Sequence, residues 1–160
     1  MYRTGLGIDF HQMVEGRELW LGGVKIPHSK GALGHSDADV VLHALCDALL
    51  GALALGDIGE HFPDTSGEFK NIDSKILLQR TIGMIWKRGY EVVNIDASLA
   101  LEKPKVRPFI KDMQEVIAGI LKIGTDAVGV KATTAEKMGF VGREEGVAAM
   151  ATVLLRKTEL

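Results

Sequence analysis

Hydrophobic and polar positions alternate along this chain with two different periods, and each change of period marks a new element. In the opening TGLGIDFHQ, Leu6, Ile8 and Phe10 alternate with Gly7, Asp9 and His11. That two-residue period predicts a strand over residues 2–10, with Asp9 and His11 facing the same way and an apolar face behind them. Residues 18–26, with LWLGGVKI, read as a strand paired with the first, and Gly22-Gly23 suggests a bend or bulge. The period then becomes helical. In DADVVLHALCDALLGALAL, Val40, Val41, Leu45, Leu49 and Leu53 recur at helical spacing, with Ser36-Asp37 as the N-cap. A second helix follows Asp73-Ser74 and stops at Gly89, VVNIDASLAL reads as a strand, and Pro108 starts a third helix that runs to about Gly124. AVGVKAT and GVAAMATVLL are closing strands. This alternation predicts an α/β (α+β layered) fold, a sheet covered by helices. No linker or repeat divides the chain, so residues 1–160 are expected to form one domain.

Composition narrows the function classes. A formal net charge of −2 argues against a nucleic-acid footprint, which needs clustered excess cations, while leaving local spots for phosphate. The single Cys46 excludes an internal disulfide and a thiolate metal cluster, and lies in an apolar helical run as core. It points to a reducing, cytoplasmic compartment. The N-terminus has no apolar signal core, and His43 and Asp47 make the longest apolar stretch too polar to span a membrane.

Candidate chemistry gathers at three places. Asp9 and His11 on one strand face, joined by His43 from the first helix, make a three-ligand set with an open fourth position, the catalytic form of a zinc site. Asp39, His43 and Asp47 share one helical stripe, so a carboxylate there could hold the imidazole tautomer while the other nitrogen faces a metal. The plain alternatives are an Asp–His hydrogen bond and a polar helical stripe. In LGHSDAD, His35 and Ser36 precede a helix start, a place for phosphate or simply a capping loop. The loop GDIGEHFPDTS carries Asp57 and Asp64, which could accept from sugar hydroxyls, and Phe62, which could pack on a carbon skeleton; ordinary turn chemistry explains the same letters. His28 and His61 read as surface or loop residues. In KATTAEKMGFVGREEG, hydroxyls and amides at a strand end could hold a diphosphate, and Glu136 a hard cation.

Taken together, GIDFH, LGGVKIP, HSDADVVLHALCDALLGALALGDIGEHFPDT, KPKVRPFI and VKATTAEKMGFVGREEGVAA closely resemble the 2-C-methyl-D-erythritol 2,4-cyclodiphosphate synthases of non-mevalonate isoprenoid biosynthesis, over essentially the full length. The resemblance implies a homotrimer with sheets around a threefold axis and active sites between neighbouring subunits. It implies Zn2+ (or Mn2+ or Co2+) on Asp9, His11 and His43, and Mg2+ or Mn2+ on Glu136 between the phosphates of a nucleotide-diphosphate substrate. By the same carry-over, His35 and Thr134 are the catalytic residues; Phe10 belongs to the pocket; His35 and Ser36 approach the phosphates, and Asp57, Ile58 and Gly59 the sugar. Phe62, Pro63, Asp64, Thr65 and Ser66 line the methylerythritol pocket. Leu101, Glu102, Lys103, Pro104, Lys105, Val106 and Arg107 read cytosine through their backbone, with Glu102, Lys103 and Arg107 at positions expected to vary among relatives. Thr133 and Thr134 grip the diphosphate, Ala135 belongs to the substrate site, and Phe140 and Arg143 complete the pocket. The implied reaction is attack of the substrate's own 2-phosphate on the β-phosphorus, releasing CMP. The resemblance also implies an apolar cavity on the trimer axis, with Arg143 and Glu145 near its mouth, of the kind that can hold an isoprenoid diphosphate; whether this chain binds one, the sequence does not say. Two rivals are a zinc phosphohydrolase and a non-catalytic trimeric isoprenoid-diphosphate-binding protein. Neither nucleic acid nor membrane is expected as a partner.

Overall fold

The computed structural model describes residues 1–158; Glu159 and Leu160, the end of the expected domain, lie outside the described residues. A five-stranded mixed sheet runs in the order β4-β1-β7-β5-β6, built from β1 (Tyr2–Glu15), β4 (Lys30–Leu33), β5 (Tyr90–Ala100), β6 (Val128–Thr133) and β7 (Gly146–Lys157). Only β5 and β6 are parallel; the other pairs are antiparallel. The expected pairing of residues 18–26 with the first strand does not occur. That segment folds on itself as β2 (Leu19–Leu21) and β3 (Val24–Ile26), because Gly22 and Gly23, both at positive φ, make a tight turn rather than a bulge. The long partner of β1 is β7, and its short one is β4.

Helices α1 (Val40–Ala52), α3 (Ser74–Lys87) and α4 (Ile110–Leu121) cover one face of the sheet, with a short turn α2 (Ile58–His61) between α1 and α3 and another, α5 (Gly139–Gly142), between β6 and β7. α1 is buried nearly all round because it is sandwiched between the sheet and α3, so its apolar residues exceed a single stripe. Leu42, Leu45 and Leu49 are fully buried there, each contributing roughly 1.5–3 kcal/mol. α3 starts after its Asp73 cap, as its sequence predicts. α4 is shorter than predicted: a 3-10 turn, Arg107–Phe109, precedes it, and Lys122 in the left-handed region ends it before Gly124.

The cap of α1 is Asp39 rather than Ser36-Asp37. Its side chain accepts from the amides of Val41 and Leu42 and from those of Gly22 and Gly23 across the hairpin turn. Burial raises the pKa of this carboxyl against the pull of those amides. Asp39 thereby ties the hairpin to the helix start, and Ser36 and Asp37 are free for other partners.

The packing of β1 reverses the expected one. Leu6 is 60% exposed, Ile8 44% and Phe10 58%, while the face carrying Gly5, Gly7, Asp9 and His11 lies under α1. Glycine makes this close approach feasible: a Cβ on Gly7 would sit 1.9 Å from the Ala44 carbonyl oxygen, and one on Gly5 1.9 Å from that of Ala48. The turn of α1 that touches Gly7 is the one that carries His43. Gly7→Ala is therefore expected to force helix and strand apart, costing about 3 kcal/mol by overpacking and roughly 10 °C in thermal melting, and to weaken metal binding at Asp9 by displacing His43.

Candidate active site

Asp9 and His11 on β1 meet His43 on α1 directly. Asp9 Oδ2 lies 2.9 Å from His11 Nε2 and 3.1 Å from His43 Nδ1, and the two ring nitrogens are 3.1 Å apart. Ligands at zinc distances on a tetrahedron are spaced about 3.3 Å from one another, so the three atoms already resemble one face of that polyhedron. Among the described residues, this is the group of His, Cys, Asp and Glu side chains that could hold a metal.

The outward nitrogens explain why the inward ones can be ligands. His11 Nδ1 is 3.1 Å from the Leu33 carbonyl oxygen, an acceptor only, so this nitrogen carries the proton and Nε2 presents its lone pair inward. The neutral triad would thus set lone pairs against a carboxylate, an arrangement that only a cation relieves. Without a metal, a proton on one of the inward nitrogens is what can take that place. Burial would raise the Asp9 pKa, but the His11 and His43 rings, which in their protonated forms donate to it and carry charge, hold it well below the usual carboxylate range. Burial would lower that of His43, and the adjoining Asp9 outweighs it and raises it. A metal must displace this proton, so binding releases protons.

The helical aspartates do not hold the His43 ring as its stripe suggests. Asp39 is occupied as the cap, and Asp47 Oδ1 accepts from the Ile58 amide at 2.7 Å, burial raising its pKa. His43 Nε2 instead faces two hydroxyls, Ser36 Oγ at 3.0 Å and Ser74 Oγ at 2.9 Å. Ser74, the first residue of α3, is fully buried. Sequence reading assigns it only a helix start, since nothing local links it to a histidine on another helix.

The metal triad opens into a cleft of about 520 Å³ that takes in His35, Ser36, Ile58, Gly59, Phe62, Pro63, Asp64 and Thr65. The His35 ring nitrogen Nε2 lies 3.2 Å from the Ser66 carbonyl oxygen. Asp57 caps α2 by accepting from the Glu60 amide at 3.0 Å; neither Asp57 nor Ser66 lines this cleft. Phe62 packs edge-on against Phe69, centroids 5.5 Å apart. His61, expected as a loop residue, is half-buried and bonds its Nε2 to the Leu55 carbonyl at 2.8 Å.

A second cleft, about 720 Å³, contains Leu101, Glu102, Pro104, Lys105, Val106, Arg107, Thr133 and Thr134. Glu102 joins its two walls by accepting from the Ala135 amide at 3.1 Å. Just beyond, Thr134 Oγ1 donates to the exposed Glu136 carboxylate, Oε1, at 3.1 Å, and Glu136 and Lys137 both hold left-handed backbone, which turns the chain sharply after the strand. Ala135, Glu136 and Lys103 sit at this rim rather than in the cleft. Phe10 and Phe140 pack together, centroids 6.0 Å apart, on the face of the sheet that the helices leave open, and Arg143 pairs with Glu145 at 2.9 Å. Cys46 is buried, its thiol pushed up to about 12 mainly by burial, and is inert core.

The two clefts share no residue. Thr133, Ala100, Ala148 and Phe10 form one row across β6, β5, β7 and β1, so three interstrand steps, roughly 14 Å, separate the strand that ends at Thr133 from the strand that carries Asp9 and His11. Partners in such a row share a face. Thr133 therefore points to the open side of the sheet with Phe10, and Asp9 and His11 point to the helix side.

Among known proteins, residues 2–156 match the YgbB family. The chain is 60% identical over 155 residues to the 2-C-methyl-D-erythritol 2,4-cyclodiphosphate synthase of Bacteroides thetaiotaomicron, covering 97% of this chain and 98% of that one. Of solved structures, it matches the bifunctional IspDF from Campylobacter jejuni with a TM-score of 0.95 and 43% identity, over 99% of this chain and 43% of that one. It matches a 2C-methyl-D-erythritol-2,4-cyclodiphosphate synthase in its CDP-bound form with a TM-score of 0.89 and 37% identity, over 96% of this chain and all of that one. No helix among the described residues is long and apolar enough to cross a membrane.

Proposed function

The chain belongs to the YgbB family, together with its 2-C-methyl-D-erythritol 2,4-cyclodiphosphate synthase relatives, and we propose that it converts 4-diphosphocytidyl-2-C-methyl-D-erythritol 2-phosphate to 2-C-methyl-D-erythritol 2,4-cyclodiphosphate and CMP. The observation that carries this reading is the convergence of Asp9 Oδ2, His11 Nε2 and His43 Nδ1 on one point beside a cleft that is sized for a sugar phosphate. An Asp-His-His donor set at these spacings suits Zn2+, or Mn2+ or Co2+. A lone exposed carboxylate such as Glu136, with substrate oxygens completing the shell, suits Mg2+ or Mn2+. When bound, these cations supply positive charge to the phosphoryl oxygens.

In the reaction an oxygen of the substrate's 2-phosphate forms a bond to the β-phosphorus. The bond from that phosphorus to the bridging oxygen breaks, and CMP leaves with the bridging oxygen and its electron pair. The substrate brings its own nucleophile, so the protein's work is alignment and charge stabilisation. The 101–107 loop offers backbone groups to cytosine, Thr133 and Thr134 hold the diphosphate, and the 57–66 segment folds the methylerythritol chain so that the 2-phosphate meets the β-phosphorus in line. His35 and Thr134 donate to the equatorial oxygens as charge develops.

One chain holds these groups in two separate clefts, and the open sheet face with Leu6, Ile8, Phe10 and Met150 exposed asks to be covered. Both features support a homotrimer in which the metal cleft of one subunit meets the nucleotide cleft of its neighbour, with an axial cavity for an isoprenoid diphosphate. The enzyme acts in the cytoplasm in this reading, away from nucleic acid and membrane. Phosphorus NMR of the protein with this substrate, zinc and magnesium tests the assignment. Stoichiometric cyclic diphosphate and CMP are expected; linear phosphates would mean hydrolysis instead. Glu136→Gln is expected to lower turnover about 100-fold and to raise the magnesium needed for half-maximal rate, read by titrating magnesium at fixed zinc.

A further inference from the structure

We infer that Ser74 and Asp37 form a positioning device that fixes the tautomer of His43 and so aims its Nδ1 at the metal point. The inference rests on the reading of Asp9, His11 and His43 as metal ligands. It follows from where the protons can go. Asp37 Oδ2 accepts from the Ser74 amide at 3.0 Å. Its Oδ1 accepts from the Asp39 amide at 3.2 Å and also from the Ser74 hydroxyl, in a short bond. A carboxylate has no proton to give, so Ser74 must be the donor in that bond, and its one hydroxyl proton is committed to Asp37.

Ser74 Oγ then has only lone pairs left for His43 Nε2, 2.9 Å away. The nitrogen must therefore be the donor, Nε2 carries the hydrogen, and in the neutral ring Nδ1 is left bare. Ser36 does not decide the matter. Its Oγ is 3.0 Å from Nε2 and already accepts the Ala38 amide at 3.0 Å, which leaves its own proton able to turn toward Nε2 or away. Ser74 is the group that removes the ambiguity, and its burial, with Asp37 gripping both amide and hydroxyl, keeps the Oγ from rotating out of line.

The device also couples two helices at the site. His43 belongs to α1, Ser74 opens α3, and Asp37 sits in the loop before α1 beside His35 and Ser36. The loop that approaches the phosphates is thus tied to the ring that faces the metal. Support of this kind is worth roughly 10–100-fold in metal affinity.

The test reads tautomer and affinity separately. Long-range proton–nitrogen correlation NMR of the metal-free protein, at a pH where the ring is neutral, is expected to show His43 as the Nε2–H tautomer in the wild type and as a mixture in Ser74→Ala. Competition with a chromophoric chelator is expected to show zinc bound roughly 10–100-fold more weakly by Ser74→Ala, while the metal-free proteins melt within a few degrees of each other. Asp37→Ala, which frees the Ser74 proton to point at Nε2, is expected to shift the tautomer the same way and supplies the answer where Ser74→Ala does not fold. Zinc affinity within twofold of wild type and an unchanged Nε2–H tautomer in these variants would overturn the inference. A wild type with the Nε2–H tautomer that binds no zinc would count against the metal reading and leave the positioning intact.

Discussion

His43→Ala is expected to fold, to lose the metal at Asp9 and His11, and to turn over roughly 10³-fold more slowly than the wild type. Two ligands remain, but the third corner of the donor face is gone, and a strand pair one residue apart cannot replace an atom that α1 presents from across the site. Positive charge on a transferred phosphoryl is worth several kcal/mol, and each 1.36 kcal/mol is tenfold in rate, which gives the magnitude. The fold should persist because α1 is held by its leucines and by the Asp39 cap, neither of which involves the imidazole. Elemental analysis after dialysis, a melting curve of the metal-free protein and the rate of CMP release together check the expectation. A metal-free variant with wild-type turnover would remove the site.

The second large effect is expected on the other side of the same strand. Ile8→Lys places an ammonium on the open sheet face, in the row with Met150, Ser98 and Lys131. In an isolated chain that change is mild, since Ile8 is already 44% exposed. Around a threefold axis it buries three like charges together, each without a partner, which costs several kcal/mol per copy. The variant is therefore expected to sediment as a single 17.3 kDa chain, with native circular dichroism and loss of nearly all activity, because each cleft loses its complement. A wild-type trimer persisting in Ile8→Lys would show that this face is not the contact.

Much of this was legible because it is local. α3 announces its cap and its end, and the alternation in β1 correctly puts Asp9 and His11 on one face. What could not be read was set by distant backbone. The apolar residues of β1 look outward because Gly5 and Gly7 let α1 come within contact of the strand, and strand periodicity does not say which face a helix will choose. The N-cap of α1 moved to Asp39 because two hairpin amides, on Gly22 and Gly23, needed an acceptor. β1 finds its main partner in β7, at the far end of the sequence, a pairing that no local pattern near β1 contains. At the site, spacing suggested the three ligands but assigned the support of His43 to its helical neighbours. The actual support, Ser74, comes from another helix and carries no signal in its own surroundings. The division of the remaining residues between two clefts is a property of sheet order, which the sequence pattern does not contain.

A site completed by two chains can be rebuilt from two variants that are each defective. His43→Ala spoils only the metal cleft, and Glu136→Gln only the rim of the nucleotide cleft, and each variant alone is expected to be nearly inactive. Co-refolded in equal amounts, they assemble at random, and about one quarter of the interfaces join an intact metal cleft to an intact nucleotide cleft. CMP release by the mixture at about one quarter of the wild-type rate is the predicted result. A mixture no more active than its two components would place each site within a single chain and contradict the account.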